Sequence, residues 1–284
     1  MKKIIAVLPL LVVLLFNAPG WGAPVVESAS GTSAAAITSA VDTFRADLGG
    51  GNVAGANGSF GGVRREINWD GVPDALSAPN NLPANFFNVN SPRGAVFETP
   101  GTGFQVSANA GIAPVEFGNI DPSYTSTFAV FSPQRLFTAL GSNVVDVLFF
   151  VPGTNIPAAV SGFGAVFTDV DLANTTSIQY FTPGNASLGT FSVPAIVGNE
   201  TLSFLGVSFN AGEQVGRVRI TNGNIALSAG ITDQNGNIRD VVVMDDFLYS
   251  EPRAVPEPAS MMLVTMGVLS AIVGRSLRRR IRMQ

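Results

Sequence analysis

The sequence predicts a mainly β protein, a β-sandwich that carries one N-terminal amphipathic helix. Three observations predict it. From about Asn109 to Tyr249 the chain repeats short apolar runs, several with every second residue apolar. Clusters of turn residues, such as Pro183-Gly184-Asn185 and Asn222-Gly223-Asn224, separate the runs. Before the C-terminal tail only one stretch, Ser33 to Leu48, keeps a helical period.

Taken in order, the first element is a signal helix over residues 1–23. Lys2 and Lys3 precede an apolar run from Ile4 to Phe16, and small residues follow at Ala18, Gly20, Gly22 and Ala23. This is the layout of a secretory signal. Cleavage after Gly22 places Gly20 at the −3 position. An uncleaved anchor is the alternative, but the run is shorter than the ~20 apolar residues a membrane span prefers. Residues 24–57 hold a lead-in and a helix. Residues 24–32 are small and polar and read as flexible. In the helix, Ile37, Val41, Phe44 and Leu48 line one face, and Gly49-Gly50-Gly51 stops it.

Residues 58–253 form the body. Its first part, 58–108, is rich in Gly, Pro and Asn, yet carries Trp69, Phe86, Phe87, Phe97 and Phe104. A disordered linker lacks such aromatics, so ordered loops and short strands are expected. β-structure is expected from Asn109 onward. Val144 to Val151 is apolar but for Asp146 and reads as a buried strand. Phe163 to Leu172 is a second strand. Ile178 with Tyr180, Phe191 with Val193, and Leu205 with Val207 and Phe209 each share one face. Val218 and Ile220 alternate with Arg217, Arg219 and Thr221, and Val241 to Tyr249 closes the set. The pieces GFGAVFTDVD, LSFLGVSF and VVVMDDFLY resemble the jelly-roll sandwiches of lectins and carbohydrate-binding modules. The resemblance implies a jelly-roll-like body and no particular ligand.

Residues 254–284 make a three-part end. Val255-Pro256-Glu257-Pro258 leads into an apolar stretch, Ala259 to Gly274, and Arg275, Arg278, Arg279, Arg280 and Arg282 follow. The stretch has about 16 residues, short for a membrane helix. A transmembrane helix here would keep its arginines on the cytoplasmic side. A simple tail anchor fits these features. The three parts together also resemble the PEP-CTERM sorting signal of Gram-negative bacteria. That resemblance implies recognition by an exosortase, processing near Pro256–Pro258, and export across the inner membrane. The protein would stay in the membrane, or reach the cell surface or an exopolysaccharide matrix.

Composition excludes several chemistries. The chain has no Cys and no His, and its only lysines are Lys2 and Lys3. Ser-His-Asp and Cys-His nucleophiles, Schiff-base lysines, phosphate-binding loops with their lysine, and Cys/His zinc sites are therefore absent from the body. Between Glu27 and Glu257 twenty acidic residues face nine arginines, a net −11 against −4 for the whole chain. Such a surface repels phosphate backbones, so nucleic acid is not an expected partner. Neutral polysaccharide and divalent cations are compatible with it.

Four aspartates are candidate metal ligands. Asp169 and Asp171 are two apart at a strand end and project to one face, with Asn174 in the following turn. Calcium takes 6–8 oxygens, so further ligands are needed, with Asp245 or Asp246 as suppliers. The competing reading is turn capping by these side chains. Asp245 and Asp246 are adjacent in a strand and should face opposite sides. The one facing inward would need a cation or an arginine, with Arg217, Arg219 and Arg239 as candidates. Trp69 with Glu66 and Asp70 reads either as a sugar-stacking patch or as a packing anchor under the long loops.

These features predict a structural or adhesive surface protein without catalytic residues, associated with polysaccharide. The alternative is a secreted carbohydrate-active enzyme that works with Asp and Glu carboxylates alone.

Overall fold

The computed structural model describes residues 22–51, 62–233 and 238–255. In chain order, β1 (Val25–Gly31) leads into helix α1 (Ala34–Asp47), followed by β2 (Arg64–Ile67) and a one-turn helix α2 (Phe86–Val89). Then come β3 (Ala95–Glu98), β4 (Gly103–Val106), β5 (Phe137–Leu140), β6 (Val144–Phe149), β7 (Ala158–Ala159) and β8 (Gly162–Thr168). The chain continues through β9 (Ser177–Phe181), β10 (Ser187–Ser192), β11 (Leu202–Ser208), β12 (Arg217–Thr221), β13 (Val243–Ser250) and β14 (Arg253–Ala254).

The strands form two principal sheets. One has the order β1-β11-β8-β13-β5-β4, with β2 added on β13; the other runs β10-β9-β12-β6-β3. A small third pair joins β14 to β7. The described strand pairs are antiparallel. Their inward residues share one core: Phe163, Ala165, Leu205, Val207 and Phe247 from the first sheet meet Val145, Val147, Tyr180, Val218 and Ile220 from the second. The protein is thus mainly β, with two sheets packed face to face. Among the described residues no helix is long and apolar enough to cross a membrane. The expected signal helix, but for its last two residues, and the expected C-terminal helix lie outside the described residues.

β8 and β11 are buried along their whole length, because α1 covers the face turned away from the sandwich core. Ile37, Val41, Phe44 and Leu48 pack there on Val166, Phe204, Leu202 and Leu248. Each such side chain contributes roughly 1.5–3 kcal/mol when fully buried. Two glycines make the seat for Phe44. A Cβ on Gly206 would lie 2.6 Å from the Phe44 ring, and one on Gly164 would lie 2.8 Å from it. Gly206 and Gly164 are cross-strand partners, so any larger pair would lift the helix off the sheet.

Three expectations change. Residues 24–32 are not a flexible lead-in: β1 pairs with β11 over seven residues, from Val25↔Ser208 to Gly31↔Leu202. Its Val-Val-Glu-Ser-Ala-Ser sequence lacks alternation because the backbone ladder and α1 hold it, not a row of apolar side chains. Residues 109–136 form no strand. They make loops and one 3-10 turn (Pro122–Ser126) pinned by Phe117, Tyr124 and Phe128 around a separate small core. The buried strand expected over Val144 to Val151 ends at Phe149, and Asp146 within it, itself buried, takes hydrogen bonds from Arg217 and Arg219 across the β6–β12 pair.

Candidate functional site

Two clusters of carboxylates stand apart from the ordinary surface acids. The first lies where β8 leaves its sheet. Asp169 adopts a left-handed backbone conformation, φ 68°, which Asp tolerates better than most residues. The kink turns the chain so that Asp169, Asp171 and Asp233 each bring a carboxylate oxygen within 4.8 Å of the others. Asp169 and Asp171 are buried, and Asp233 is half-buried. Asp240 supports the loop. Its Oδ1 accepts the Asp171 N–H at 2.9 Å, and its Oδ2 accepts the Thr175 hydroxyl. Gly198 N–H reaches Asp171 Oδ1 at 2.8 Å. Neither oxygen of Asp169 has a hydrogen-bond partner. Burial pushes the Asp169 carboxyl up to about 9, and the charges of Asp233, Asp171 and Asp240 add to the shift. Asp171 is pushed up to about 6, again chiefly by burial.

The second cluster is Asp245 with Asp246 in β13. Alternation along a strand would set them on opposite faces, and here that rule fails. Between Met244 and Phe247 the register slips: three residues of β13 span the two from Phe167 to Ala165 of β8. This is a β-bulge. It returns Met244 and Phe247 to the same core and lets one hydroxyl serve both acids. Ser132 Oγ lies 3.2 Å from Asp245 Oδ1 and 2.7 Å from Asp246 Oδ1. Phe131 N–H and Ser132 N–H also donate to Asp245 Oδ2, at 2.6 and 3.2 Å. The bulge frees the Asp245 carbonyl, which accepts the Trp69 indole N–H at 2.7 Å. Burial, then the mutual charge, raises the Asp245 carboxyl well above its ordinary range; Asp246 is raised by burial too. Two acids this close retain a proton between them.

The four predicted ligands therefore do not form one site. Asp169 and Asp171 come together with Asp233, which sequence reading missed. Asp245 and Asp246 lie outside that group. Asn174 turns to the Ser192 hydroxyl. Nor do Arg217 and Arg219 neutralise Asp245 or Asp246, since both bond Asp146. A weak signal for Asp233 existed: it is the acid in the oxygen-rich run Asp233-Gln234-Asn235-Gly236-Asn237. Ser132 carried none.

Trp69 is a packing anchor. It is 1% exposed, stacks on Phe137 at 4.1 Å and meets Phe87 and Phe247 edge-on. Its ring faces are not open to a sugar. Glu66 is also engaged: Arg45 grips both its oxygens at 2.9 and 3.0 Å, and Arg64 adds a third bond at 3.0 Å. Burial opposes the Glu66 charge, but these arginines hold its carboxyl below the usual range. Asp70 lines a groove of about 480 Å³ beside Trp69, with Asn68, Ser91 and Arg93. Burial, then Asp246, pushes its carboxyl up to about 6.

The body ends in β14, and Val255 N–H bonds Pro157 O at 3.1 Å. Pro256, Glu257, Pro258, Arg275, Arg278, Arg279 and Arg280 lie outside the described residues. Residues 254–280 match the PEP-CTERM protein-sorting motif. No curated protein matches the chain. The body is β-rich, and the motif that follows it implies export and sorting by an exosortase. The motif implies membrane or cell-surface association.

Proposed function

We propose that this protein is a non-enzymatic structural or adhesive component of the cell surface or extracellular matrix, associated with polysaccharide. The observation that carries the reading is the sorting motif at residues 254–280, joined directly to a folded, acidic body. β14 ends at Ala254, so the motif begins where the last strand stops. Before sorting, the apolar stretch Ala259 to Gly274 holds the chain in the membrane. Processing near Pro256–Pro258 then frees an acidic sandwich with a jelly-roll-like, lectin-like character. The absence of Lys after Lys3, and of His and Cys throughout, supports a role without Lys, His or Cys chemistry. The groove beside Trp69, with Asp70, Asn68 and Arg93 on its walls, is a polar surface on which a neutral glycan could lie.

The test is to recover the protein from fractionated cells, fix its termini by mass spectrometry, and assay it on glycan arrays and in a hydrolysis screen. The reading expects cleavage near Pro256–Pro258, recovery outside the inner membrane, glycan retention and no turnover. Hydrolysis that disappears when one Asp or Glu is replaced would instead establish a carbohydrate-active enzyme.

A further inference from the structure

Two facts about the first carboxylate cluster point beyond a turn cap. A turn cap uses its oxygens as acceptors for nearby N–H groups. Both Asp169 oxygens lack any donor, although the residue is 0% exposed. The carboxylates of Asp171 and Asp233 each bring an oxygen within 4.8 Å of this donor-free acid, so like charge converges on it. Burying an acid without a partner, as Asp169 is buried, is costly. The second cluster shows the contrast, since three donors, the Phe131 and Ser132 N–H groups and the Ser132 hydroxyl, point at Asp245 and Asp246. Local donors satisfy that cluster; in the first, Gly198 N–H and Val241 N–H reach Asp171 and Asp233, and Asp169 is left with none.

We propose that Asp169, Asp171 and Asp233 hold a calcium ion at the end of the sandwich where β8 leaves its sheet. The donors are all carboxylate oxygens, the hard ligands this cation selects. The chain has no Cys or His, so the sulfur and imidazole ligands that favour zinc or copper are missing. Magnesium demands a near-ideal octahedron, whereas calcium accepts an irregular shell from loops. The three acids come from two loops far apart in sequence. One is the exit of β8 and the other precedes β13. A cation between them ties those loops together, with Asp240 as a positioning residue: it fixes the Asp171 backbone and the Thr175 hydroxyl. The export that the sorting motif implies delivers this site to a compartment where calcium is available.

The experiment is isothermal titration of the full chain in mild detergent with calcium chloride after chelator treatment, beside thermal melts in chelator and in about 10 mM calcium. One site is expected, with Kd of about 10⁻⁴ to 10⁻³ M, as in extracellular modules. At a tenfold excess the melting temperature should rise by about 3–6 °C. Asp169→Asn and Asp233→Asn should abolish both signals, and Asp245→Asn should leave them. If Asp169→Asn does not fold, as judged by near-UV circular dichroism, the half-buried Asp233→Asn decides alone. No heat and no shift with folded protein would overturn the proposal. So would magnesium acting as well as calcium, or Asp245→Asn being as damaging to binding as Asp233→Asn.

Discussion

The acids at the β8 exit and the acids in the β13 bulge are two answers to the same problem. Each region buries like charges at close range. In the bulge, a serine hydroxyl and two backbone N–H groups point at the carboxylates, whose pKa values burial raises. At the β8 exit, Asp169 has no donor at all. A crowded carboxylate pair is thus no evidence of a metal by itself. What distinguishes a structural pair from a ligand set is whether the chain supplies its own donors.

The sharpest way to break the bulge side of this comparison is Trp69→Ala. It removes the stack on Phe137 and the bond to the freed Asp245 carbonyl. A loss of about 3–5 kcal/mol is expected for a large buried aromatic, read from urea melts. Ser132→Ala is the next largest. It leaves Asp246 without its hydroxyl and weakens the hold on Asp245, for a cost of roughly 1–3 kcal/mol.

Both clusters hold carboxyl groups raised by burial, and the bulge can be tested on its own. Asp245 and Asp246 have carboxyl groups raised by burial in the folded chain. The folded state therefore binds protons that the unfolded state has released above an ordinary aspartate value of about 3.9. Stability should fall as pH rises from that value up to the folded pKa. Chelator-treated protein is expected to melt at a lower temperature at pH 8 than at pH 5. Asp245→Asn should flatten that slope, and calcium should not cancel the bulge's share of it. A slope unchanged in Asp245→Asn would remove the shared-proton account of the bulge. The smallest effect belongs to a surface pair. Arg219, 44% exposed, bonds Asp146, and Arg219→Ala should cost only about 0–1 kcal/mol and alter neither cluster.

Much of the sandwich was legible because alternation reports burial. Leu205 with Val207, and Val218 with Ile220, face the core as their spacing predicts. The four-three-four spacing of Ile37, Val41, Phe44 and Leu48 gave α1. β1 was not legible, since a strand held by its ladder and a covering helix needs no apolar pattern. The candidate site was half legible. Asp169 and Asp171 could be paired from their spacing, but Asp233 joins them only through the fold. The bulge at Asp245 inverts the alternation rule itself, and its partner Ser132 lies 113 residues away.

The most direct measurement is anomalous diffraction from crystals grown with calcium. A single anomalous peak should lie about 2.3–2.6 Å from oxygens of Asp169, Asp171 and Asp233, with none at Asp245 and Asp246. A peak in the β13 bulge, or none at the β8 exit at saturating calcium, would contradict the account.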